Sequence, residues 1–201
     1  MSRTTMLAVG MTAAMALGAA QAQAQTNNSN TMSPPAMNNS SGNAAGMAHK
    51  ASKADQHFLT EAMQGDMAEV QMGKLAQQKG QSEDVKQFGQ MLEQDHSQHL
   101  QQAEQQAQQL GVTAPQGPNA KQKATYERMN KLSAAQFDKQ FARHAVQDHK
   151  KDIAAYQKEA KSKGPLAQFA EATVPTLQKH LQAAQSIESK GAMTGSKAGT
   201  K

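Results

Sequence analysis

The chain reads as an all-α protein, an antiparallel four-helix bundle with a short extra helix in the long connection between its second and third long helices. Three observations carry this reading. Of 201 residues, 37% are hydrophobic but only 3% aromatic, and the mean hydropathy is −0.74. A core must therefore be built from Ala, Leu, Met, Val and a few Phe, a palette that favours helices. Four long segments repeat apolar side chains at i, i+3, i+4 and i+7, the period of a half-buried helix. Capping and stop residues bound them, and their connections run short, long, short, as an antiparallel bundle requires.

Before the first helix come two segments of different character. Residues 1–24 have the pattern of a secretory signal: Arg3 is the only charge, an apolar run spans Met6 to Ala20, and Ala20-Gln21-Ala22 or Ala22-Gln23-Ala24 offers small residues for cleavage. The run is too short for a membrane anchor, and no later stretch approaches the ~20 apolar residues of a spanning helix. A periplasmic or secreted location is the expectation. Residues 25–51 are rich in Asn, Ser, Gly, Met and Pro, a composition that cannot order itself and reads as a disordered linker. Met32, Met37, Met47 and His49 lie in it as soft donors suited to copper.

The first helix is expected over Lys53–Lys79, with Ser52 and Asp55 spaced as a capping box and Gly80 as its stop. Leu59, Met63, Val70 and Leu75 form part of its inner face. Ala62, Gly65, Glu69, Met72 and Ala76 form an adjoining stripe of mostly small residues that Glu69 interrupts. Ser82 caps the second helix, Glu83 and Asp84 suit its N-terminal dipole, and Gly111 ends it. Its inner stripe holds Val85, Phe88, Leu92, Ala103, Ala107 and Leu110 together with His96 and His99. At 100° per residue from Val85, the two histidines fall at about +20° and −40°. Pro115, Gly117 and Pro118 make a true loop, and a short helix over Lys121–Lys131 packs across the bundle end.

Ser133 and Gln136 open the third long helix, which runs to about Ser162 with Phe141, Ala142, Ala145, Ile153 and Tyr156 inward. His149 lies near its middle, Asp152 about one turn on, and His144 and Asp148 at the edge of the arc. Gly164-Pro165 separates it from the fourth, whose face is Leu166, Ala170, Thr173, Leu177, Leu181, Ala184 and Ile187 with His180 among them. Pro175 falls on the outer side, where it kinks the helix mildly. The folded part is thus residues 52–189, and residues 190–201 read as a disordered tail.

Counting from the turns brings the inward polar groups to one level. Glu69 lies 12 residues before Gln81 and His96 15 after it; His149 lies 14 before Lys163 and His180 17 after it. Each mismatch is about 4.5 Å, less than one helical turn. Glu69, His96, His99, His149, Asp152 and His180 are therefore the candidate metal ligands, with Asp95 and Asp148 flanking them to orient the rings. Imidazole with carboxylate suits Fe, Mn, Zn, Ni or Cu better than Ca or Mg. The competing reading is a metal-free buried layer in which Asp–His pairs satisfy one another.

Charge and motifs narrow the function. The net charge is +5, and +4 once Arg3 leaves with the leader, spread over solvated faces with neither a dense basic stripe nor stacking aromatics; nucleic acid is not an expected partner. The absence of cysteine excludes disulfides, thiolate metal sites, a Cys nucleophile and lipid attachment through cysteine. There is no G-x-S-x-G elbow and no H-E-x-x-H helix, so the sequence points away from hydrolytic turnover and names no catalytic residue. A metal ion is the expected partner, with an envelope component or a second copy of the chain as further candidates.

Asp55-Gln56-His57-Phe58-Leu59, Gly65-Asp66-Met67-Ala68-Glu69-Val70, the Asp95-His96 and Asp148-His149 pairs, and Pro175-Thr176-Leu177-Gln178-Lys179-His180-Leu181 resemble the secreted bacterial family called domain of unknown function 4142. The resemblance spans residues 53–188. It implies a ferritin-like bundle and export to the periplasm or outer membrane, and it implies no established activity. Ferritin-like di-iron proteins carry a Glu on each of two helices and Glu-x-x-His on the other two. Here Glu93 falls near +80°, off the stripe that holds His96; His149-x-x-Asp152 is reversed; and His180 has no acidic companion on its helix. This His-rich set favours a mononuclear site for metal handling or stress tolerance. The alternative is a non-catalytic structural or interaction protein of the envelope.

Overall fold

The computed structural model describes residues 50–197. The expected signal segment, the linker donors Met32, Met37, Met47 and His49, and the last residues of the expected tail lie outside them. Within them the chain is all-helical, with no strand among the described residues: α1 (Lys53–Lys79), α2 (Glu83–Leu110), α3 (Ala120–Asn130), α4 (Ala134–Ala160) and α5 (Ala167–Lys197). The four long expected helices are α1, α2, α4 and α5, and the short one is α3. No described helix is long and apolar enough to cross a membrane.

Local chemistry sets the ends. The Ser52 hydroxyl accepts from Asp55 N at 3.1 Å while the Asp55 carboxylate accepts from Ser52 N at 2.8 Å, closing the expected box. Gly111 ends α2 at φ 66°, the left-handed conformation that glycine adopts without strain. Two ends depart from expectation. Ala51, which composition places in the linker, is buried, and its carbonyl accepts from Gln56 Nε2 at 3.1 Å. At the other end α5 continues to Lys197, past residue 190 where the tail was expected. The Ser189 hydroxyl donates to Ser186 O at 2.9 Å and Lys190 Nζ donates to Asp84 Oδ2 at 2.7 Å, contacts that lie where the tail was expected to begin. Pro175 lies inside α5 on an exposed face, as its position in the apolar pattern requires.

α1 packs along α2 and α4 along α5, each pair joined by a short connection, and the two hairpins meet through α2 with α5 and α1 with α4. Two glycines set the first hairpin's closeness. A Cβ at Gly73 would sit 2.5 Å from Gly89 O, and one at Gly89 would sit 2.7 Å from Gly73 O and 2.8 Å from the Ala76 Cβ. The backbones of α1 and α2 therefore touch where any side chain would hold them apart. One end of the core gathers Leu75, Val85, Phe88, Leu92, Phe137 and Phe141. Another cluster gathers Leu59, Met63, Ala103, Ala107 and Leu166. Along α2 the first cluster stops at Leu92 and the second begins at Ala103; His96 and His99 fall between them.

Candidate metal centre

His149 and His180 are fully buried, and His96 is 6% exposed. The helical period turns all three inward, and the two hairpins bring them to one level: a ligand nitrogen from each lies within 4.8 Å of the others. Phe88 borders the group, its ring centroid 6.4 Å from that of His149 and 6.3 Å from that of His180.

Each ring is held by its other nitrogen. His149 Nδ1 is 2.9 Å from the Ala145 carbonyl, His180 Nε2 is 2.9 Å from Asp95 Oδ2, and His96 Nδ1 is 2.9 Å from Asp66 Oδ1. A carbonyl and carboxylates accept, so these nitrogens donate, and in a neutral imidazole the remaining nitrogen then carries only a lone pair. Those remaining atoms are His149 Nε2, His180 Nδ1 and His96 Nε2. The first two face each other at 3.3 Å. The third is the only buried side-chain nitrogen or oxygen without a partner among the described residues.

A proton count makes the point without choosing a tautomer. From the Ala145 carbonyl through His149 and His180 to Asp95 there are three contacts, and two neutral imidazoles bring two protons. With Asp95 as a carboxylate, one contact always sets acceptor against acceptor. A third proton is disfavoured: burial, with His96 and His180 nearby, holds His149 down at about 3, and burial holds His180 down at about 4 against the pull of Asp95. A cation at the point where the lone pairs converge removes the conflict. Tetrahedral zinc with Zn–N of about 2.0–2.1 Å sets ligand nitrogens about 3.3 Å apart, the separation of His149 and His180.

The orienting groups are as informative as the rings. Asp95 meets His180 across the bundle, and not its neighbour His96. Truncation of an outer partner of this kind costs about 10–100-fold in metal affinity. If the three rings hold zinc, Asp95→Ala is expected to weaken its binding about 10–100-fold in a competition titration against a chromogenic chelator, with the helical circular dichroism unchanged.

Asp66 is the residue that sequence reasoning missed. It is buried and bridges His96 Nδ1 and His99 Nδ1, at 2.9 and 2.7 Å. Burial alone would raise its carboxyl, but the hydrogen bonds from His96 and His99 more than offset that and keep it below the ordinary range. The signal was present, because Asp66 lies seven residues after Leu59 and three after Met63, on the same inward line of α1.

His99 does not join the three. Its Nδ1 is taken by Asp66, and its Nε2 lies 3.1 Å from the Thr173 hydroxyl and 3.5 Å from that of Tyr156, with Phe169 stacked at a centroid distance of 4.9 Å. With both nitrogens engaged it offers no lone pair, and it serves instead to fix Asp66.

Glu69, Asp148 and Asp152 stand elsewhere too. They line a cavity of about 160 Å³ between α1, α3 and α4, where His144 joins them; His96 and His99 also line it, whereas His149 and His180 do not. Asp148, expected to orient a histidine ring, faces Glu69 and His144 instead. Burial and the nearby charges of Asp148 and Asp152 push Glu69 well above the usual carboxyl range. Burial and Asp148 likewise push Asp152 up to about 7.

The raised Asp152 gives a pH-dependent prediction. Between its ordinary value near 3.8 and about 7, the folded protein binds more protons than the unfolded chain, so this group's contribution is lost as pH rises through that window. Asp152→Asn is expected to raise the Tm of the metal-free protein at pH 8 by about 2–4 °C, equivalent to about 1 kcal/mol, and to leave it unchanged at pH 4. Equal shifts at both pH values would mean that Asp152 is not a strained carboxyl.

No curated protein and no solved structure matches this chain. Residues 40–187 match the family described as domain of unknown function (DUF4142), and they include both halves of the histidine layer; the chain belongs to that family.

Proposed function

We propose that this protein is an exported, ferritin-like four-helix bundle that binds one transition metal ion through His96, His149 and His180 and serves metal handling or stress tolerance in the periplasm. The observation that carries the reading is the missing proton: three rings anchored from behind, with His149 Nε2 and His180 Nδ1 opposed at 3.3 Å and His96 Nε2 partnerless. A bundle with short connections within each helix pair supports the ferritin-like part, and the pattern of residues 1–24 supports export.

Three neutral imidazoles without an inner carboxylate suit zinc or copper, and also iron or manganese if water or an outside carboxylate completes the set. One position stays open. Glu69 and Asp152 belong to the neighbouring cavity in this reading, and His99 to the support of Asp66. The Asp66 and Asp95 pairs taken alone would suit a metal-free structural layer equally well, but that layer would still lack a proton.

Elemental analysis of the protein recovered from its exported fraction without an affinity tag, beside a triple His96→Ala, His149→Ala, His180→Ala variant, tests the proposal. Stoichiometric metal in the wild type and none in the variant is the expected result. A folded wild type that is metal-free and takes up none of zinc, copper, iron or manganese would favour the structural alternative.

A further inference from the structure

The cavity between α1, α3 and α4 leads from solvent to the three-histidine layer. Of its lining residues Glu61, Asn119 and Lys121 are exposed, Asp148 and Asp152 are half-buried, and Glu69, Asp66 and His96 are buried. His149 and His180 have no exposed surface and do not line it. His96 is therefore the ligand that the cavity and the layer share.

The space and its charge suit a hydrated cation. A volume of about 160 Å³ holds about ten water molecules, so an ion can cross it with part of its hydration shell. Glu61, Asp66, Glu69, Asp148 and Asp152 line it against Lys121 and Lys151, five acids to two lysines, in a chain of net charge +5. A concave wall dominated by one sign focuses the field and raises the local concentration of counter-ions. The acids need no resident ion, because burial and the charges of Asp148 and Asp152 already favour a proton on Glu69.

The approach past Asp95 is poorly suited to the same task. Asp95 is half-buried beside His180, but it accepts from Nε2, the nitrogen turned away from the point where the lone pairs converge. An ion arriving there meets an N–H. Along the bundle axis the layer is closed by apolar packing, with Phe88 against both His149 and His180.

We propose that this cavity is the metal's entry to the centre: a hydrated divalent cation is drawn in between α1, α3 and α4, passes Asp148, Asp152 and Glu69, and meets the histidine layer at His96. The proposal rests on the three-histidine reading and says how that site is filled. It makes the acids a means of transit, setting the rate of loading and not the strength of binding.

The test is stopped-flow transfer of zinc from a weak chromogenic chelator to the metal-free full chain, with affinity read separately at equilibrium. Gly65 lines the cavity, and a Cβ there meets nothing within 4 Å, so Gly65→Phe puts a ring into the passage and changes no ligand. It is expected to slow uptake by about tenfold or more, since entry then requires the wall to open, and to leave equilibrium affinity within about threefold of the wild type. Gly65→Ala is expected to load at the wild-type rate. Glu69→Gln, Asp148→Asn keeps side-chain size and is expected to slow uptake about tenfold at low ionic strength, the difference shrinking as salt is added. This second variant decides if Gly65→Phe fails to fold or loses affinity. Uptake at the wild-type rate in either folded variant overturns the entry and leaves the histidine centre standing. A wild type that takes up no zinc overturns the centre itself, and the entry with it.

Discussion

Replacing His149 by leucine is expected to lower zinc affinity by more than about 100-fold, beyond the 10–100-fold that loss of an outer partner costs, while leaving the metal-free protein at least as stable as the wild type. The two halves of this result have one cause. In the metal-free layer the run from the Ala145 carbonyl through His149 and His180 to Asp95 is one proton short whichever tautomers are present, so removing His149 takes away the unfavourable contact. Leucine fills much of the space, and replacing buried polar contacts by apolar groups of similar shape is close to neutral or stabilising. If the layer were a satisfied hydrogen-bond network, the same change would strand His180 and cost about 1–3 kcal/mol. Thermal unfolding of both proteins in chelator, followed by zinc titration, separates the two accounts.

The largest expected effect on the fold comes from Gly89→Val. A Cβ there meets Gly73 O at 2.7 Å and the Ala76 Cβ at 2.8 Å, and valine adds two methyl groups to that crowding. Backbone cannot rotate away as a side chain can, so α1 and α2 must separate along their whole contact. Overpacking usually costs about 1–3 kcal/mol, and backbone-on-backbone contact puts this case at or above the upper end. Gly65→Ala is the control: nothing lies within 4 Å of its Cβ, and alanine in a helix interior is expected to stabilise by about 0.5–1 kcal/mol. Chemical denaturation of both variants checks the contrast, and a Gly89→Val protein of wild-type stability would mean that the two helices do not meet as closely as described.

Much of the fold was legible because its signals are local. α1 ends where Ser52, Asp55 and Gly80 predict, and the inward arcs of α2, α4 and α5 follow the apolar period. Counting residues from the turns also sufficed to bring His96, His149 and His180 together, since helical rise is fixed at about 1.5 Å per residue. The finer assignments depend on side-chain direction, which a level count does not contain. Glu69 shares the level of the histidines but turns toward α4 and Asp148, and His99 shares their stripe but is captured by Asp66 and Thr173. Asp66 went unread because an acid on an inward line looks like an exception until its two histidine partners are seen. Helix closeness was not legible either: the close approach is at Gly73 and Gly89, whereas Gly65 of the small-residue stripe faces open space on the cavity wall.

X-ray absorption at the zinc edge of protein loaded with one equivalent of zinc examines the central claim most directly. Three imidazole nitrogens at about 2.0–2.1 Å with one further light-atom ligand are predicted, a pattern that loses one imidazole in His180→Ala. A shell of oxygen ligands alone, or a spectrum identical in wild type and variant, would show that the metal does not sit where the three lone pairs converge.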